Sequence, residues 1–390
     1  MGLISNPLLR RPLQNSSSPA AIGIAVLWLI VNGFLLLKNG IYTSGEAGKY
    51  IYEATYLANN GHLRSHNFLF YSVLIYLLAA SIKFHLGFGW IIALQAGFAL
   101  AATLSFHKTL LFLRISHTVA FAATGLLLLN IPYQGLNRCL QTESLFHSLT
   151  LLLVCRLLQQ KQYSGRFLLW IFVFLTFLSL VRPTGFLYWP LGAFYLGALA
   201  LANRPPVVKI VAASVALIGM LAAINFAMDT GGDFDFSLPF REEHIICGVS
   251  TLLTPRSVPV TGSGNSLLSL AYFIFHDFGR FMRLAGLKTL SFWGVYRSYY
   301  SLPHNLYLAI YFYPITAMAL FSIPRWIRGE YRLSFICLAT PVMMTWATVV
   351  LTCDDWNNRF FLNISPFLLL LAAGNWLRPA RPHAGAPHTN

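Results

Sequence analysis

The feature that most limits what this chain can fold into is a succession of apolar runs, most about 17 to 20 residues long, separated by short polar segments. An α-helix rises about 1.5 Å per residue, so each run is matched to the roughly 30 Å hydrocarbon thickness of a bilayer. The runs lie near 20–37, 88–106, 117–133, 140–157, 166–182, 184–202, 208–227, 304–323, 333–352 and 360–377. They predict an all-α polytopic membrane bundle of about ten transmembrane helices. Composition agrees: 56% of residues are hydrophobic and 10% charged, where soluble domains carry about 25% charge. No small-residue cleavage site follows the first run, which reads as a retained helix and not a signal peptide.

Charge sets the expected orientation. The excess of 27 Lys and Arg over 12 Asp and Glu would suggest nucleic acid in a soluble chain, but in a membrane chain it records the positive-inside rule, so no nucleic-acid partner is expected. With ten spans, the cytoplasmic segments hold fourteen basic residues and a single acid, Glu330, while eleven of the twelve carboxylates face outside. The stretch Phe68 to Leu86 is apolar enough to span, yet a crossing there would place the basic loop of Lys108 and Arg114 outside. It is therefore read as an interfacial or half-inserted helix. The expected organisation is a cytoplasmic segment 1–19, a transmembrane domain 20–377 with outer loops 40–87 and 229–303, and a disordered cytoplasmic tail 378–390. The segment 269–300 reads as an amphipathic helix turning Arg280, Arg283 and Lys288 toward anionic headgroups. The five cysteines show neither metal-ligand spacing nor a disulfide framework, which leaves the redox compartment open.

Candidate chemistry clusters at the outer helix ends. In the first outer loop Glu46, Lys49, Tyr50 and Glu53 share one face of a short helix, with Ser44 at the cap position. A carboxylate there is placed as a general base at the membrane surface, although an exposed Glu/Lys pair is the plainer reading. Glu143 enters an apolar helix beside Thr142, where it is either paired for function or a partner of the helix dipole. Arg182 closes another span in an Arg-Pro-Thr-Gly-Phe element, which fixes a guanidinium at phosphate depth, either for a bound ligand or by snorkelling to bulk lipid phosphate. Arg297, flanked by tyrosines and followed by His304 and Asn305, is a further site candidate. Asp354 and Asp355 precede Arg359, a weak divalent-metal set or a helix cap, so a divalent metal stays possible as a cofactor. His147 lies alone within a span.

The order of these elements resembles the GT-C class of membrane glycosyltransferases, and most closely the bacterial relatives of protein O-mannosyltransferases and aminoarabinose transferases. The resemblance runs over 20–377 and rests on Glu46, on Pro132 with Thr142 and Glu143, on Arg182 to Gly185, and on Arg359 with Pro366. It implies a GT-C-like fold and an inverting transfer of one sugar from a polyprenyl-phosphate donor to a glycan, lipid or protein acceptor outside the cytoplasm. Glu46 would be the general base, with Glu53 and Glu143 as the other carboxylates available for that role. Lys49, Arg182, Arg297 and Arg359 would hold the lipid phosphate, and Tyr50, His304 and Asn305 would line the acceptor and sugar pocket. The usual Asp-Glu pair of the first loop is here Gly45-Glu46. A polysaccharide polymerase, which needs no first-loop acid, is one alternative. A lipid-linked saccharide transporter or flippase is the other, though it should carry charge at the bilayer midplane. Asn-x-Ser sites occur only at Asn15 and Asn363, in cytoplasmic and intramembrane positions, which favours a bacterial inner membrane.

Overall fold

The computed structural model describes residues 18–160, 164–200, 204–229, 237–249, 266–328 and 331–377. The expected terminal segments and the Pro/Gly/Ser stretch at 255–265 fall largely or wholly outside them. The described residues form helices α1 (Ser18–Asn39), α2 (Glu46–Asn60), α3 (Ser72–Lys83), α4 (Gly89–Phe112), α5 (His117–Leu129), α6 (Ile131–Gly135), α7 (Thr142–Gln159) and α8 (Gly165–Val181). There follow α9 (Trp189–Ala200), α10 (Pro206–Asp229), α11 (Ser237–Arg241), α12 (Leu267–His276), α13 (Phe278–Gly294), α14 (Leu302–Trp326), α15 (Arg332–Leu351) and α16 (Arg359–Ala373). The chain is all-helical: among the described residues the extended pairing amounts to two isolated bridges, Tyr42 with Cys139 and Ile246 with Asp354.

Among the described residues five helices, including a continuous His66–Lys83 segment, are long and apolar enough to cross a membrane, and six if the pair bent by 56° at Asn130 is one span. The expected ten is therefore met only in part. Part of the physical reason lies in α7 and α16, which are wrapped by other helices: all but three of the eighteen residues of α7 and all but two of the fifteen of α16 are buried. Helices that meet protein on every side need neither the length nor the apolar uniformity of a lipid-facing span, so they can carry Glu143, His147 and Asn363. Peripheral α1 shows the opposite pattern, exposing Leu29, Ile30, Phe34 and Leu37, as a lipid-facing surface would.

Hydrogen bonds identify two ends of the bundle. At one end Tyr42, just past α1, pairs with the chain at Arg138 and Leu140, and Gln95 near the start of α4 donates to Gln141 O. At the other, Gln159 reaches Thr109, Tyr195 donates to Leu157 O and Trp326 donates to Leu371 O. Because α1 finishes and α4 begins at the same end, α2 and α3 between them make no net crossing. They fold as a packed helical hairpin around Tyr50, Leu57, Leu74 and Leu78.

Three local expectations change. The cap of α2 is Gly45, not Ser44, with φ 60° and ψ −128°, a region open essentially to glycine alone. The amphipathic segment breaks at Asp277 into α12 and α13, and Arg280 and Lys288 turn inward while Arg283 stays exposed. Arg280 and Arg283 both bind Glu243, while Lys288 is fully buried with Nζ 3.9 Å from the centroid of Phe240. Cys247 and Cys353 form a disulfide across 106 residues, a pairing that irregular spacing along the chain could not disclose.

Candidate functional site

Four segments far apart in sequence meet at the end of the bundle that carries Tyr42 and Gln141. Arg359, the first residue of α16, sits behind Asn358 in the left-handed conformation (φ 56°), which Asn tolerates because its short side chain bonds locally. Here the Asn358 amide donates to Val295 O at 2.9 Å. One face of the Arg359 guanidinium is gripped by Asp355 in a two-point bond, Nε to Oδ1 at 2.8 Å and Nη2 to Oδ2 at 2.6 Å. Its Nη1 donates to Glu46 Oε2 and to Glu143 Oε1, the latter at 2.6 Å. Arg182 Nη1 donates to the same Glu143 Oε1 at 2.5 Å, and its guanidinium lies over the ring of Phe360.

Local sequence explains how Arg182 is held. The residue before a proline is pushed out of the helical region, and Arg182 is extended (φ −157°, ψ 143°), ending α8 and opening the tight turn Pro183–Tyr188. A Cβ on Gly185 would lie 2.5 Å from Leu178 O, so only glycine lets the turn pack directly against the last turn of α8. The Gly185 N–H then closes the turn onto Arg182 O at 2.9 Å.

Two guanidiniums and three carboxylates thus form one network. Glu143 is fully buried and Arg182 and Arg359 nearly so, whereas the Glu46 side chain is 40% exposed. Tyr50 is buried beside them, and burial, followed by the charges of Glu143 and Glu46, raises its phenol pKa. The adjacent carboxyls of the 353–358 loop diverge. Burial works against the ionised form of Asp355, but the bonds and charge of Arg359 outweigh it and hold the group below its usual range. For Asp354, burial prevails over Arg297 and raises the pKa.

A narrow cleft opens beside the network, its empty space summing to about 330 Å³ with its open mouth included. Arg182, Arg359 and His147 line it together with Thr184, Thr345, Thr348 and Asn363, against apolar Phe146, Leu187 and Phe360. His147 stacks on Tyr133 at 5.4 Å between centroids.

Of the residues singled out in sequence, Glu46, Tyr50, Glu143, Arg182 and Arg359 converge here. Lys49 does not join the network: its ammonium lies over the rings of Phe68 and Tyr71. Glu53 is buried elsewhere, accepting from Arg64 N at 2.7 Å and so pinning the turn after α2. Arg297 sits one layer away, bound to Asp354 at 2.6 Å and to Asp355 O at 3.0 Å. Asn305 clamps the backbone of Arg297 through both its donor and its acceptor, and exposed His304 stacks on Tyr300. Among the described residues no group of three His, Cys, Asp or Glu could hold a metal ion, and with both Asp354 and Asp355 bound to arginines the donor set does not fit a divalent cation.

Sequence reasoning left Asp355 as a metal or cap candidate and His147 as a lone histidine. The available signal was the i,i+4 spacing of Glu143 with His147, which places that pair on one helix face, and the closeness of Asp355 to Arg359 in sequence. Thr184, Thr345 and Asn363 carried no local mark. Scanning protein-family models, curated proteins and solved structures for similarity found no match to this chain.

Proposed function

We propose that the protein is a GT-C-like integral membrane glycosyltransferase that moves a sugar from a polyprenyl-phosphate donor to an acceptor at the outer membrane face. The observation that carries the proposal is the convergence of Glu46, Glu143, Arg182 and Arg359 in one ion-pair network whose two arginines line a cleft. In the free protein the carboxylates occupy the positions around the two guanidiniums that a phosphate would take. Glu143 is shared by both arginines and buried, so it holds them in place. Exposed Glu46 is the group a donor phosphate displaces from Arg359.

Released in this way, Glu46 takes the proton of an acceptor hydroxyl as that oxygen bonds to the anomeric carbon from the face opposite the phosphate. The anomeric C–O bond to phosphate breaks with its electron pair, polyprenyl phosphate leaves, and the anomeric configuration inverts. Arg182 and Arg359 stabilise the growing negative charge of the leaving group.

Ten crossings would follow if α1, α4, α5, α7 to α10, and α14 to α16 alternate between the two ends of the bundle. Lys108, Arg114, Arg156, Arg166, Arg325, Arg328 and Arg332 lie near helix termini at the end opposite the cluster, which supports a site facing away from the cytoplasm under the positive-inside rule. The Cys247–Cys353 disulfide at the cluster end supports the same side, because disulfides persist in oxidising compartments. A bacterial inner membrane with a periplasmic site fits this arrangement.

The test is to reconstitute the purified protein in vesicles with polyprenyl-phosphate sugars labelled in the sugar, add envelope glycans and lipids as acceptors, and measure free polyprenyl phosphate. Release of the lipid with label on an acceptor is the expected result. Label that only crosses the bilayer still attached to its lipid would make the protein a flippase and overturn the proposal.

A further inference from the structure

Buried polar atoms are almost always paired, so an unpaired one beside a cleft points to a missing partner. Thr345 is such a case. Threonines in helices commonly bond the carbonyl four residues back, and on α15 Thr340 donates to Ile336 O at 2.8 Å and Thr348 to Met344 O at 2.9 Å. The Thr345 hydroxyl, on a residue 3% exposed, makes no hydrogen bond, although it lines the cleft. Across from α15, on α7, His147 is 4% exposed, its ring is fixed against Tyr133, and its Nδ1 also has no partner. The remaining buried amide of the cleft is already satisfied. Asn363 accepts from Thr150 at 3.2 Å and donates to the Tyr188 hydroxyl at 2.9 Å.

We infer that His147 and Thr345 form a subsite for the hydroxyl groups of a single saccharide ring carried on the anionic group that Arg182 and Arg359 bind. The inference rests on the transferase reading and assigns the sugar-reading residues within it. A bare phosphate is fully served by the two guanidiniums and needs neither residue. A sugar ring presents hydroxyls at its rim and C–H groups on its faces, which matches two unpaired polar atoms set among Phe146, Leu187 and Phe360.

The experiment measures binding to the full-length protein in detergent of three kinds of probe: polyprenyl phosphate, polyprenyl phosphate carrying glucose, galactose, mannose or arabinose, and the matching free sugar 1-phosphates. At least one sugar-bearing lipid should bind ~10-fold or more tightly than polyprenyl phosphate, the size of effect a hydrogen bond to a buried polar group supplies. Thr345→Val and His147→Leu should each erase that preference while leaving polyprenyl phosphate affinity unchanged, and Arg182→Ala should weaken every lipid.

Thr345→Val is nearly isosteric and removes an unpaired hydroxyl, so its thermal midpoint should hold or rise. A fall in midpoint with the sugar preference intact would make the hydroxyl structural and overturn the subsite. Equal binding of bare and sugar-bearing lipids by the unaltered protein overturns the subsite while leaving the phosphate reading standing. Failure to bind any lipid removes both. Free sugar 1-phosphates that compete at concentrations equal to the lipid, with the same response to Thr345→Val, would support the subsite and make its ligand a soluble sugar phosphate.

Discussion

Glu46 and Glu143 touch the same guanidinium, yet their removal should have different consequences. Glu143 is fully buried between Arg182 and Arg359. Glu143→Gln leaves two buried cations without their shared counter-charge, a loss of about 3–5 kcal/mol, and should lower the thermal midpoint in detergent by several degrees. Glu46→Gln removes a half-exposed carboxylate and should change stability by less than about 1 kcal/mol while slowing transfer about 10²- to 10⁴-fold. A Glu46→Gln protein that transfers sugar at the normal rate would move the base elsewhere.

Lys288 gives a second prediction at this scale. Burial lowers its pKa from 10.5 to about 7, so folding releases a proton between those values. The stability that follows from keeping it neutral is complete above about pH 10.5, declines as pH falls toward 7, and is constant below. Lys288→Met should therefore raise the unfolding midpoint at pH 7.5 and much less at pH 10. An equal gain at both would show that Lys288 stays charged over the Phe240 ring.

At the scale of elements, two devices place the arginines. The turn Pro183–Tyr188 packs so closely on α8 that Gly185→Ala should displace Arg182 and weaken polyprenyl phosphate binding at least ~10-fold, even where helix content by circular dichroism is unchanged. The 353–358 loop is the other device. It carries Asp355, which grips Arg359, and it is stitched to residues 245–247 by the disulfide and by hydrogen bonds of Asp354 N to Ile245 O and Cys247 N to Asp354 O, both 2.8 Å. Cys353→Ser should cost about 2–4 kcal/mol and lower turnover, and mild reductant should reproduce both in the unaltered protein but not in the variant. Gly45 belongs here too: with φ 60° and ψ −128° any residue with a Cβ in that position would be strained.

For the whole molecule, the orientation can be tested by single cysteines in a background with Cys139, Cys155 and Cys337 replaced. Cysteine at Asn60 or at exposed Tyr299 should react with an impermeant maleimide on intact cells, and cysteine at Arg114 or Arg328 only after permeabilisation. Labelling of Arg328→Cys in intact cells would invert the molecule and remove the proposed chemistry from the outer face. The same set tests the α2–α3 hairpin, because a crossing by α3 would place Asn60 and Tyr299 on opposite sides.

Apolar run length and charge placement, both local properties, were enough to predict an all-helical chain with several helices long and apolar enough to cross a membrane and to mark Glu46, Glu143, Arg182 and Arg359 at helix ends, where a charge beside an apolar run demands a reason. Roles that depend on a partner distant in sequence were not legible. Glu53 and Lys49 share a helix with Glu46, but Glu53 serves Arg64 and Lys49 lies over aromatic rings. Asp355 looks like a metal ligand until Arg359 folds onto it, and Cys247 finds Cys353 only once the second outer loop lies against the start of α16. The central placement of α7 and α16 was equally hidden, since a helix surrounded by protein need not read as a lipid-facing span. Periodicity reports what each segment needs from its surroundings; packing alone decides which neighbour supplies it.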